Sequence, residues 1–212
     1  MDVNPALREA AAQFPVVGSG EASGPLAWIS LTAEELALAE EVAQRRRKPD
    51  TRSLVALKEA AWDPDYVGIL GEMAFCKGLN GNLNAWLGKV EQEGWFKLGE
   101  QDPGYDFEHV NVKTTLLRNQ RTCRSLRLLV SVDPRHTDLK QPRADVLYVA
   151  GFWRPGSRRV YFAGWLPGWR IVDLCPVPRY PGLPANTFLS YMVRVPDLWQ
   201  MRSLRTYLSL ME

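Results

Sequence analysis

Apolar positions fall at helical spacing in the first half of the chain and switch to alternation in the second. Leu31 precedes Thr32-Ala33-Glu34-Glu35, which has the form of a capping box, and the pattern predicts a helix from Thr32 to about Arg47, stopped before Pro49. Asp63-Pro64-Asp65 gives a second start signal, because Asp caps free amides and Pro suits the first turn; that helix should run through Cys76 to Gly78 or Gly81. From Val110 the texture becomes β-rich, with strands expected over 110–117, 126–132, 144–153 and 159–165 and a hairpin turn at Arg154-Pro155-Gly156-Ser157. The Pro-rich stretch 167–184 reads as irregular. A strand follows over 187–195, and Pro196-Asp197 opens a terminal helix in which Leu198, Met201, Leu204 and Leu208 recur on one side. No internal repeat interrupts this order.

A chain of 212 residues with 46% hydrophobic content can bury a sizeable core as one α/β domain. Residues 1–30, with an Ala-rich piece followed by Gly18-Ser19-Gly20 and Ser23-Gly24-Pro25, read as a loosely attached arm ahead of a domain over 31–212. No apolar run is long enough to span a bilayer, and the start lacks a basic region leading into an apolar stretch, so the expected location is the cytoplasm, with no membrane partner. Cys76, Cys123 and Cys175 are scattered and suggest neither a zinc site nor a disulfide framework. The eight tryptophans invite a stacking role, yet most lie among apolar neighbours, where core packing is the simpler reading.

The formal net charge of +2 does not by itself argue for nucleic-acid binding. Local concentrations carry more weight. Arg45 to Lys48 with Arg52 fit the solvated end of a helix, where cations complement the dipole, whereas Arg118, Arg121, Arg124 and Arg127 follow closely on Lys113 and are better placed for phosphates.

The segment from Asp102 to Thr115 carries the candidate chemistry. On a strand, Asn111, Lys113 and Thr115 share one face and Val110, Val112 and Thr114 the other. A half-buried strand with a solvated face has this pattern without any catalytic meaning. Glu72 changes the picture, because its neighbours on a helix face, Gly68, Ile69, Phe75 and Cys76, are small or apolar. A carboxylate in such a setting needs a cation, a metal or donors nearby. Gly68 and Gly71 would also let this helix approach a sheet closely.

Together these residues resemble the PD-(D/E)XK nuclease superfamily, which includes restriction-like endonucleases, resolvases and many phage-encoded nucleases. Glu72 matches the helical acid, Asp106 in Gly104-Tyr105-Asp106 the aspartate, and Asn111-Val112-Lys113-Thr114-Thr115 the (D/E)-X-K strand. The resemblance covers about residues 63–173. It implies a restriction endonuclease-like core, a mixed central β-sheet flanked by helices, and a nuclease acting on DNA or RNA with Mg²⁺ or Mn²⁺ held by Asp106, Asn111 and Glu72. Lys113 would stabilise developing charge, with Thr114, Thr115, Arg118 and Arg121 on phosphate oxygens. Two departures stand out. Asn111 offers a neutral oxygen where the family offers a carboxylate, and Asp106 lies so close to Lys113 that only a tight turn around Glu108-His109 or one continuous strand can join them. Glu108 is therefore an alternative acid, and His109 and His136 are weaker acid-base candidates. The competing readings are a non-catalytic module of the same fold, binding nucleic acid or a protein, and an unrelated α/β assembly protein. Self-association stays open.

Overall fold

The computed structural model describes residues 5–18, 27–46, 64–92, 106–107, 109–117, 126–132, 142–179 and 189–211. Helix α1 (Pro5–Ala11) leads to a short strand β1 (Trp28–Ser30) and helix α2 (Ala33–Arg46). The capping box at the start of α2 is formed reciprocally: the Thr32 amide donates to Glu35 Oε2 at 2.6 Å and the Glu35 amide to Thr32 Oγ1 at 3.2 Å. Helix α3 (Pro64–Asn80) buries nearly its whole circumference over Ile69 to Cys76 and ends where Gly81 turns left-handed at φ 75°. A helix buried on all sides must lie between layers. One side meets α2, to which Lys77 is tied by an ion pair with Glu35 at 2.8 Å, and another meets the sheet.

The central sheet combines β1 with β2 (Val110–Leu116), β4 (Leu147–Trp153) and β5 (Arg159–Pro167) in the order β1-β5-β4-β2. Strands β2 and β4 are parallel and the other pairs antiparallel, so the fold is α/β with a mixed sheet flanked by helices. Every residue of β4 is buried, as expected of a strand covered on both faces. Strand β3 (Arg127–Ser131) leaves this sheet and pairs antiparallel with β6 (Ser190–Arg194). Between β4 and β5 the chain reverses at Arg154 to Ser157, with Gly156 at φ 76°.

Several expectations need correction. Part of the Pro-rich stretch is helical: α5 (Gly168–Leu174) forms because Trp169 and Ile171 pack inward. The terminal helix α6 (Leu204–Met211) begins later than Pro196-Asp197, after two single 3₁₀ turns at Val195–Asp197 and Met201–Ser203. A further helix, α4 (Asn84–Gln92), and strand β1 were not anticipated. The described part of the N-terminal arm packs on the rest of the chain: Val16 bridges Trp199, and Phe14 packs edge-on against Trp199 at 5.5 Å and Tyr207 at 6.0 Å. Trp165 sits in the same cluster, fully buried, with its indole N–H donating to the Gln200 carbonyl at 3.2 Å. Among the described residues no helix is long and apolar enough to cross a membrane.

Candidate active site

Asp106 is fixed by a miniature hairpin. Its amide and that of Phe107 donate to the Val110 carbonyl at 2.8 and 2.9 Å, the Val110 amide returns to Phe107 at 2.9 Å, and His109 takes up the left-handed conformation at φ 59°. The junction to β2 is thus a tight turn. It folds Asp106 back along the free edge of β2, where Oδ2 accepts the Val112 amide at 2.6 Å. The carboxylate does there what a neighbouring strand's carbonyl would otherwise do.

Glu72 reaches the same region from α3. It is 7% exposed, and its Oε2 accepts the indole N–H of Trp86 at 3.2 Å. Trp86 belongs to α4, and one turn later on the same face Lys89 brings its ammonium to 3.8 Å from Asp106 Oδ1. The α4 helix therefore braces both acids. Sequence reasoning missed it, although Leu83, Trp86, Leu87 and Val90 recur at helical spacing and would have been the signal.

The acids act on one another. Burial pushes the Asp106 carboxyl up to about 7, and the negative charge of Glu72 adds to that rise. Lys113, Lys89 and the Val112 amide pull in the opposite direction. Glu72 and Lys113 are therefore each within electrostatic reach of Asp106. The Asp106 side chain is only 17% exposed.

The strand faces sort the remaining residues. Thr114 turns toward α3, because a Cβ on Gly71 would lie 1.7 Å from Thr114 Oγ1. Alternation then puts Asn111, Lys113 and Thr115 on the other face. Asn111 is 5% exposed and flanks the residue whose amide holds Asp106. Lying at the strand edge, Asp106 feels Glu72 from the helix side and Lys113 from the other. The expected phosphate contact from Thr114 is corrected: its hydroxyl is buried between Gly71 and Gly151 and, among the described residues, makes no hydrogen bond. Arg118, Arg121, Glu108 and His136 lie outside the described residues. His109 is exposed on the turn.

The raised Asp106 pKa has a thermodynamic consequence. Folded protein holds this proton more tightly than the unfolded chain, whose carboxyl titrates near the ordinary 3.8. Stability in the presence of chelator should therefore fall as pH rises from about 4 to about 7 and level off above. Asp106→Asn keeps an acceptor for Val112 and removes the charge, so it should flatten that slope and raise stability at pH 8 by on the order of 2 kcal/mol. Urea unfolding at a series of pH values measures both; a variant as pH-dependent as the parent would refute the assignment.

Among the described residues no group of three or more His, Cys, Asp and Glu side chains gathers as metal ligands. No protein-family model, curated protein or solved structure matches this chain.

Proposed function

We propose that this chain is a metal-dependent nuclease of the PD-(D/E)XK type, with a restriction endonuclease-like core, hydrolysing phosphodiester bonds in DNA. The observation that carries the reading is the position of Asp106, pinned by the Val112 amide at the edge of β2, where it feels the charges of Glu72 from the helix and of Lys113 from the strand. The donor set suits Mg²⁺ or Mn²⁺. Carboxylate and amide oxygens are the hard ligands these ions take, and a dication would favour the ionised Asp106 carboxylate that burial, and after it the charge of Glu72, works against. Glu72, Asp106 and Asn111 would hold the ion, which when bound polarises a phosphate and acidifies a water. Lys113 supplies positive charge where a phosphorane-like transition state gains negative charge. Thr115 shares its strand face and can donate to a phosphate oxygen.

A second reading, a non-catalytic nucleic-acid or protein-binding module, is favoured by a specific feature: the protein itself partners both acids, Trp86 on Glu72 and Lys89 on Asp106. Incubation with single-stranded, duplex and branched DNA, and with RNA, in Mg²⁺ or Mn²⁺ separates the two. The expected result is cleavage that chelation abolishes. Binding without cleavage of any substrate would overturn the enzymatic reading. Asn111→Asp should tighten metal binding by restoring a charge to the set. Calorimetric titration with Mn²⁺ decides this, and an equal or weaker affinity would remove Asn111 from the ligands.

A further inference from the structure

The sheet face that carries Lys113 continues into an aromatic row. Thr115 on β2 lies opposite Phe152 on β4, Phe152 opposite Tyr161 on β5, and Tyr161 opposite Trp28 on β1. Facing partners in a sheet point to the same side. The ring centroids stand 6.3 Å apart for Phe152 and Tyr161 and 4.6 Å for Tyr161 and Trp28. Phe152 and Tyr161 are buried, but Trp28 is 60% exposed, unlike the buried Trp86, Trp153, Trp165, Trp169 and Trp199. An indole left open to water while braced from behind by a tyrosine presents a fixed flat surface.

Charge and shape accompany it. Two residues further along the same two strands, Ser30 pairs with Arg159 on the same side as Trp28 and Tyr161. Ser30, Thr32, Glu34, Ser157, Arg158 and Arg159 line an open cavity of about 740 Å³. Arg154, Arg158 and Arg159 all project from the β4–β5 turn region as exposed side chains. None of them has an ion-pair partner within 4 Å among the described residues, and the Glu34 carboxylate, held below its usual range first by its own backbone and by Thr32, offsets Arg158 only at longer range.

We propose that this surface binds a single-stranded stretch of nucleic acid, with one base stacked on Trp28 and the adjoining phosphates on Arg158 and Arg159. A basic groove combined with an exposed aromatic is the arrangement by which single strands are held without sequence preference. Adjacent strands lie roughly 4.8 Å apart, so three spacings put Trp28 about 14 Å from β2. That is on the order of four stacked nucleotides from the proposed cleavage site. The inference rests on the nuclease reading only for its relation to that site; the groove and the indole stand apart from Glu72, Asp106 and Lys113.

The test is binding of a fluorescein-labelled oligothymidylate, followed by anisotropy in chelator so that no cleavage intervenes. Trp28→Ala should weaken binding roughly tenfold to a hundredfold, Trp28→Phe should restore most of it, and the loss of one arginine should reduce the salt slope by about 0.7. Quenching of tryptophan emission on titration should disappear largely in Trp28→Phe. Trp28 is exposed, so its variants should melt close to the parent, and circular dichroism verifies this. Parent protein that does not bind the oligonucleotide, or binds it equally well after Trp28→Ala, would overturn the proposal. Capture of a peptide strand along β1 in its place would do the same. Metal-dependent cleavage in that case would leave the nuclease reading intact, whereas binding that needs Trp28 without any cleavage would sink the nuclease reading alone.

Discussion

Lys113→Ala is expected to lower DNA cleavage by roughly a hundredfold to a thousandfold while the protein remains folded. The side chain is half-buried on β2 and, beyond its field at Asp106, makes no ion pair within 4 Å among the described residues, so its loss should cost little stability. Its proposed work lies in the transition state, where charge accumulates on the phosphate, and such a contribution appears in the rate more than in substrate affinity. Lys113 also lowers the Asp106 pKa, so its removal raises that value further. The comparison therefore belongs in a pH series running well above 7, where Asp106 is ionised in the parent. Single-turnover cleavage at saturating Mn²⁺, with Asp106→Ala alongside, gives the answer. Activity that survives both substitutions would belong to another site or to a contaminant.

Gly71→Ala should be strongly destabilising, at or above about 3 kcal/mol, the upper end of ordinary overpacking. The new methyl would stand 1.7 Å from Thr114 Oγ1 and 2.8 Å from Thr114 Cβ. Rotating the threonine moves the first atom but not the second, which is fixed to the strand. Helix α3 must therefore lift away from β2. The intrinsic preference of a helix for Ala over Gly, about 1 kcal/mol, works in the other direction and is too small to win. Thr114→Ala removes the hydroxyl and one methyl, so the double variant should recover part of the loss in urea unfolding, a coupling that a double-mutant cycle reads directly. Because Glu72 is the next residue, the same displacement should also reduce cleavage. A Gly71→Ala protein within about 0.5 kcal/mol of the parent, the size expected for neutral surface changes, would contradict the close approach of helix and strand.

How much of this was legible in the sequence depends on the range of the interactions that fix each part. The capping box at Thr32, the burial of Glu72 and the turn at Arg154 to Ser157 are local, and each is written in a few adjacent residues. Strand order is not. Consecutive strands pair more often than not, yet β3 leaves the central sheet for β6, and β2 joins β4 in parallel across the gap. Helix α5 was hidden because its two turns depend on burying Trp169 and Ile171 and carry no capping signal. At the site, the two-residue periodicity already assigned Asn111 and Lys113 to one face and Thr114 to the other. What the chain did not reveal is the third partner of the arrangement, α4, since only the folded chain brings Trp86 to Glu72 and Lys89 to Asp106.

The hydrogen bond from the Val112 amide to Asp106 ties a side chain to a backbone position six residues on, so the intervening loop acts as a ruler. Strand faces alternate in steps of one residue. Adding or deleting a single residue between Asp106 and Val112 leaves the composition almost unchanged but breaks the closure or reverses parity, turning Lys113 toward the helix and Thr114 away from it. Between these two anchors, the proposed ligand Asn111 apart, side-chain identity can vary far more freely than length.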